Sequence, residues 1–358
     1  MFPKEERLFP DVSAVTVLSI RDSLRLQSSV QELSHCCRSL QNNLRIETQG
    51  CRKMKSFYRG LLILGGFFRP RYLYMDLTSV RVIKEIQSKF GFTFKKGLGQ
   101  NFLTSQSILD TIALEADVSE GVLEIGPGFG VLTKILAAHA PKVVSVEIDE
   151  RLNEILEYTL AGCDNVKIIN SDVLKLDLKK LIADEFPQKR ISIAANLPYY
   201  ITTPIITRLV ESRLDVKNIV VMVQKEVADR MRAKPGTKDY GALTLMCRYY
   251  TEPSVIASVP AGLFVPPPKV DSAVLKLEIL DKPRVNVLDE KTFFRTVRAA
   301  FSQRRKTLLN CLCANFPIPK QDMTELLSGA GIEPSRRGET LDIEEFAVLS
   351  DCLYKRKA

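Results

Sequence analysis

From about residue 119 onward, short runs of β-branched and apolar residues alternate with amphipathic stretches, a rhythm that confines the chain to a mostly parallel α/β sheet with helices on its faces. Strands are predicted over residues 122–125, 143–148, 166–169, 191–195 and 219–223, with helical stretches after the first four. Two further runs, 254–259 and 272–279, have no clear crossover helix and are expected to pair antiparallel at one side of the sheet. After Pro283 the pattern becomes helical, with Asp289 as N-cap and Phe294, Val297, Phe301 and Leu308 spaced roughly by turns. At 358 residues the chain is long enough for this division into a larger α/β part, 75–282, and a smaller helical part, 283–358.

Residues 1–74 do not share the rhythm. They carry +6 of the formal net charge of +9 and three of the eight cysteines. This poorly patterned extension is compatible with a translation start placed too far upstream, with Met75 as the biological one. Six acids before residue 75 argue against a mitochondrial transit peptide. Its longest apolar stretch, 60–68, is about half the ~20 residues needed to span a bilayer, so no membrane association is expected.

Only two histidines are present, His35 and His139, which leaves little material for a histidine metal cage or a Ser-His-Asp triad. The cysteines form no C-x-x-C pair. Cys311 and Cys313 make a lone C-x-C without a second ligand pair nearby, so they are read as buried apolar residues, and no metal is expected.

Three loops at predicted strand ends carry the chemistry. Glu124-Ile125-Gly126-Pro127-Gly128-Phe129-Gly130 follows the first strand and opens a helix, so its glycines can bring backbone close to a ligand. The third glycine of a dinucleotide fingerprint would stand where Val131 is, which fits an S-adenosylmethionine site better than a nicotinamide site. Glu147, at the end of the second strand, can accept both hydroxyls of a ribose. Asp172, at the end of the third, can accept an adenine amino group or simply cap a turn. In Asn196-Leu197-Pro198-Tyr199, the Asn196 side-chain oxygen and the Leu197 carbonyl can hold an aromatic amine so that its nitrogen faces a sulfonium methyl. Pro198 stiffens that turn and Tyr199 offers a stacking face. No general base is needed, because the methylated ammonium gives its proton to water.

Together with Gly99-Gln100-Asn101-Phe102-Leu103, Gln224-Lys225-Glu226-Val227, Lys238-Asp239-Tyr240-Gly241, the segment Phe264 to Ser272 and Ala300-Phe301-Ser302-Gln303-Arg304-Arg305-Lys306-Thr307-Leu308, these motifs resemble, in order, the ribosomal RNA adenine N6,N6-dimethyltransferases of the kasugamycin-resistance type. The resemblance spans roughly residues 80 to 350. It implies a Rossmann-like class I S-adenosylmethionine-dependent methyltransferase sheet with a smaller all-α carboxyl-terminal domain. It also implies Asn101 and Leu103 over the cofactor, Gly126 and Gly128 at its methionine end, Glu147 at the ribose, Asp172 at the adenine and Asn196 between cofactor and target amine. Tyr199 and Phe264 would sandwich the flipped adenine. The implied reaction is dimethylation of two adjacent adenosines in the 3′-terminal hairpin loop of 16S rRNA, by a cytoplasmic, monomeric enzyme acting on a pre-30S particle.

Between Lys291 and Lys320 stand seven basic residues and no acid, and a continuous helix would place Arg295, Arg298 and Arg305 on one face. Arg298, Arg304, Arg305 and Lys306 are therefore the candidate RNA contacts. The competing readings are an erythromycin-resistance type methylase of 23S rRNA, a non-catalytic RNA-binding assembly factor and, more remotely, a dehydrogenase. Amine acceptors beside a cofactor crevice have no use in a pure binding module.

Overall fold

The computed structural model describes residues 75–94 and 99–357. The extension over 1–74, with His35 and the apolar stretch 60–68, lies outside the described residues. The described chain opens with helix α1 (Val80–Phe90), the two-residue strand β1 (Phe102–Leu103) and α2 (Gln106–Ala116). The predicted alternation follows: β2 (Val122–Ile125), α3 (Val131–His139), β3 (Val143–Glu147), α4 (Asn153–Thr159), β4 (Val166–Asn170), α5 (Leu178–Glu185), β5 (Ser192–Asn196), α6 (Thr202–Glu211) and β6 (Asn218–Gln224). A helix also follows the fifth of these strands directly, α7 (Lys225–Met231), and α8 (Ala242–Tyr250) leads into β7 (Thr251–Val259), β8 (Phe264–Val265) and β9 (Ser272–Ile279). Four helices close the chain: α9 (Glu290–Ala300), α10 (Leu308–Asn315), α11 (Lys320–Gly329) and α12 (Ile343–Lys357).

Seven strands form one sheet in the order β4-β3-β2-β5-β6-β9-β7. The first five are parallel, while β9 pairs antiparallel with both β6 and β7, as the missing crossover helices imply. β7 begins three residues earlier than its sequence pattern suggests and includes Pro253. Proline lacks the N–H of a ladder bond, but β7 lies at the sheet's end and pairs only with β9, so one side of it needs no donor.

The order places β3 and β5 on opposite sides of β2. Consecutive strands run outward from β2 to β4, then the chain crosses back to β5. That reversal opens a crevice at the carboxyl ends of β2, β3 and β5, where open α/β sheets bind ligands. Register aligns Ile125 with Val146 on one side and Ala195 on the other, so the glycine turn emerges between Glu147 and Asn196.

Residues alternate between two cores. Val122, Val143, Ala194, Val220 and Met222 pack on one face, and Leu123, Val144, Ile193, Val221 and Val223 on the other. Burial on both faces explains why the parallel strands read as continuous apolar runs. A third core joins the carboxyl-terminal helices through Phe293, Val297, Leu312, Met323 and Phe346. It also takes Leu245 and Tyr249 from α8, whose Leu243 and Cys247 face the second core. Residues on either side of 283 thus fall in one compact unit. The Asp289 carboxylate caps α9, accepting from the Thr292 amide at 2.7 Å. α9 ends at Ala300, and residues 301–307 form turns. Arg305 therefore does not share a helical face with Arg295 and Arg298: the continuous helix expected there is interrupted at the Ser302-Gln303 bend.

Candidate active site

The glycine turn is built for close approach. Gly126 and Gly128 both take left-handed φ, 70° and 58°. A Cβ on Gly128 would lie 2.8 Å from the Phe102 ring, which stacks on Phe129 with centroids 4.2 Å apart. Bare Cα atoms here let the 99–103 segment lie across the turn. At Gly126 the nearest atom to such a Cβ is the Asn196 carbonyl oxygen, at 4.0 Å, and its backbone lines an open cleft.

Glu147 stands at the next strand tip, buried to 6 % exposure. One carboxylate oxygen accepts from the amides of Ile148 and Asp149, each at 2.9 Å, and the other from the Gly128 amide at 3.3 Å. Burial nonetheless pushes its pKa up, and the charge of Asp149 adds to this. Hydroxyl donors would relieve a carboxylate so placed. Asp172, at the end of β4, accepts the Leu174 amide at 3.0 Å through Oδ1, so it does cap its turn, while Oδ2 stands 3.8 Å from Lys175 Nζ. Asp172 also lines the cleft.

On the other side of the glycine turn, the Asn196 Nδ2 donates to the Asn101 carbonyl at 3.1 Å, and Asn101 Nδ2 to the Gly99 carbonyl at 3.1 Å. Only the amino arm of an amide can face a carbonyl, so Asn101 sets the rotamer of Asn196 and keeps Oδ1 as the arm left for a ligand. The Leu197 amide donates to the Met222 carbonyl at 3.2 Å and the Thr202 hydroxyl to the Pro198 carbonyl at 3.0 Å, which ties the loop to β6 and to the start of α6. The half-buried Tyr199 points its hydroxyl to Ser272 Oγ at 2.6 Å.

One cleft thus brings together Asn101, Leu103, Gly126, Gly128, Glu147, Asp172, Asn196, Leu197, Pro198 and Tyr199. Ile125, Val146, Ile148 and Val173 add apolar wall. Phe264 is elsewhere: it pairs with Leu103 across the β1–β8 ladder, is 2 % exposed in the first core, and does not line the cleft. Arg304 and Lys306 line a separate depression with Arg230, Lys238 and Arg337, and Arg305 is exposed beside them in the same turn. Arg298 lies 3.7 Å from Glu211.

Two contributors escape sequence reading. Asp149 is held by Arg151, which keeps its carboxyl below the usual range, and it accepts from Gln100 Nε2 at 3.1 Å. Arg151 also donates to the Thr93 carbonyl, so Asp149 and Arg151 together hold Gln100 and Thr93 at the β3 tip. Ser272 is the other. The Asp149–Gln100 and Tyr199–Ser272 bonds join residues 49 and 73 positions apart, a pairing that no local motif announces.

A reversing parallel sheet with an antiparallel strand inserted beside β6, a glycine turn and a strand-tip acid define a Rossmann-like S-adenosylmethionine-dependent methyltransferase. The residues fit that cofactor, with bare backbone at Gly126, a desolvated acceptor at Glu147 and apolar wall beyond it. More narrowly, the chain belongs to the ribosomal RNA adenine dimethylase family, which it matches over residues 91–350. It is 50 % identical over 283 residues to ribosomal RNA small subunit methyltransferase A of Alkaliphilus oremlandii, covering 78 % of this chain and 99 % of that one. The protein of the same name from Geobacillus thermodenitrificans is 52 % identical over 287 residues, 78 % and 98 % of the two chains. Among solved structures, a dimethyladenosine transferase from Plasmodium falciparum superposes with TM-score 0.56 at 29 % identity, over 69 % of this chain and 95 % of that one. The 23S rRNA methyltransferase ErmE superposes with TM-score 0.53 at 28 % identity, over 71 % and 99 %. The chain is an S-adenosylmethionine-dependent enzyme that dimethylates ribosomal RNA adenine.

Proposed function

We propose that the enzyme dimethylates N6 of two adjacent adenosines in the 3′-terminal hairpin loop of small-subunit rRNA, on a pre-30S particle, working as a cytoplasmic monomer. The observation that carries the chemistry is the Asn196–Asn101 hydrogen bond, which presets an amide acceptor between the glycine turn and Tyr199. S-adenosylmethionine, when bound, supplies an electrophilic methyl on a positively charged sulfur. Asn101, Leu103, Gly126, Gly128, Glu147 and Asp172 are the residues that hold it. The Asn196 Oδ1 and the Leu197 carbonyl accept the two amine protons and so favour a tetrahedral nitrogen with its lone pair turned to the methyl. Pro198 keeps the turn stiff, and Tyr199 carries the everted base on its face. Phe264, as the opposite face of the sandwich, would first have to be uncovered from the core, so of that pair Tyr199 is the ring that lines the cleft.

Residues 75–282 form the catalytic part in this reading and 283–358 the RNA-recognition part, with Arg298, Arg304, Arg305 and Lys306 meeting phosphates. Among the described residues no helix is long and apolar enough to cross a membrane, and no group of three or more metal-ligating side chains converges. The small-subunit target is favoured over a 23S target by the names of relatives about 50 % identical, against 28 % for ErmE. The test is to incubate the protein and methyl donor with unmethylated 30S particles, and separately with deproteinised 23S RNA, then map dimethyladenosine. Two adjacent dimethyladenosines near the 3′ end of the 16S rRNA are expected. Modification confined to 23S RNA would reverse the assignment.

A further inference from the structure

The Tyr199 ring is held at both ends. Its backbone sits in a turn pinned by the Leu197–Met222 and Thr202–Pro198 hydrogen bonds, and its hydroxyl meets Ser272 Oγ at 2.6 Å. Ser272 is fully buried and opens β9, where it pairs with Gln224 of β6 and with Val259 of β7. Three strands therefore converge on the group that fixes the ring's tip. A phenol anchored only through its backbone could rotate about both side-chain torsions. One whose oxygen is tied to a sheet residue has its long axis fixed in direction, so the ring can turn only about that axis.

Resting on the reading of Tyr199 as the stacking face for the target base, we propose that Ser272 is a positioning residue that aims the Tyr199 ring and so sets where the base's amino group meets Asn196. The Tyr199–Ser272 bond links the substrate loop after β5 to the antiparallel strand β9, two elements 73 positions apart. Placing the base a fraction of an ångström off line weakens transfer, because a misplaced nucleophile loses most of the advantage of being bound. Either partner can be removed while the ring itself stays: Tyr199→Phe deletes one oxygen and Ser272→Ala the other.

The experiment compares Tyr199→Ala, Tyr199→Phe, Ser272→Ala and the Phe/Ala double variant for single-turnover methylation of 30S particles, cofactor affinity and melting temperature. Tyr199→Phe and Ser272→Ala are each expected to slow transfer roughly tenfold, the scale of one lost hydrogen bond, with cofactor affinity within about twofold of the parent. The double variant should be no slower than the worse single one, because both substitutions break the same bond. Lowered melting temperatures with unchanged transfer rates, or losses that multiply in the double variant, would overturn the positioning role. If Ser272→Ala fails to fold, Tyr199→Phe still decides, since it changes only the hydroxyl of a half-buried ring. Parent-like transfer by Tyr199→Ala would sink the stacking reading itself. A dead Tyr199→Ala beside a fully active Tyr199→Phe sinks only the role of Ser272.

Discussion

Asn196→Ala is expected to lower the rate of methyl transfer by about 10²–10³-fold, the cost of losing one oriented polar group at a reacting centre, while cofactor binding survives at least in part. The reasoning is electronic. An exocyclic adenine amine shares its lone pair with the ring and attacks poorly while planar. Acceptors on its two protons draw the nitrogen toward the tetrahedral form, and in this cleft the acceptors are Asn196 Oδ1 and the Leu197 carbonyl. Alanine leaves one of them. It also leaves the Asn101 carbonyl without its 3.1 Å donor, loosening the 99–103 segment that lies over the glycine turn. Asn196→Asp is the informative companion: it restores an oxygen toward the cleft but sets a second oxygen against the Asn101 carbonyl, so it too should be impaired. Single-turnover methylation alongside equilibrium binding of S-adenosylmethionine separates the two effects. Parent-like rates in Asn196→Ala would remove the amine-holding role.

The second large effect concerns Glu124, which stands in β2 just before the glycine turn and is 1 % exposed. Its Oε2 accepts from Ser145 at 2.7 Å, while Oε1 and the nearby Thr133 hydroxyl, both buried, make no well-formed hydrogen bond. Burial pushes this carboxyl from its ordinary 4.5 up to about 7; the Ser145 and Thr133 hydroxyls oppose the rise and the charge of Glu147 adds to it. The folded protein thus holds the proton more tightly than the unfolded chain. That contribution to stability is complete below pH 4.5 and is lost as pH rises through about 7. The interval corresponds to about 3 kcal/mol. Glu124→Gln keeps the group neutral at every pH, and its amide can donate to Thr133 as the protonated acid would. Its stability relative to the parent, measured by urea unfolding, should therefore increase by about 3 kcal/mol between pH 4.5 and 8.5. A difference between the two proteins that stays constant with pH would contradict this account.

Much of the sheet is legible because its parallel strands are buried on both faces. Each reads as an unbroken run such as 219–223, and the structure moves their ends by only a residue or so. Asp289 reads as a cap because capping is local. The residues from Gly126 to Tyr199 that meet in the cleft are legible because strand-tip loops carry them, and the sheet order joins loops far apart in sequence, whereas Asn101 and Leu103 are reached only through the family resemblance. What was not legible depends on partners. Pro253 hides the first residues of β7, and only the strand's place at the sheet's end makes proline acceptable there. The β1–β8 ladder is two residues long and pairs segments 163 positions apart at Phe102 and Val265, too short for any periodicity to register. It also buries Phe264, which as a lone phenylalanine in a loop motif could equally have faced the substrate. Helical spacing ran Arg305 into line with Arg298, because nothing in Phe301-Ser302-Gln303 is a strong helix breaker, yet α9 stops at Ala300.

A crystal structure of the protein with S-adenosylmethionine is the most direct test of the claim that the glycine turn, Glu147 and Asn196 form one transfer site. Ribose hydroxyls are expected on the Glu147 carboxylate and the sulfur next to Asn196, with Asn196 Nδ2 still on the Asn101 carbonyl. Donor bound away from the ends of β2, β3 and β5, or an Asn196 amide released from Asn101 and turned out of the cleft, would contradict it.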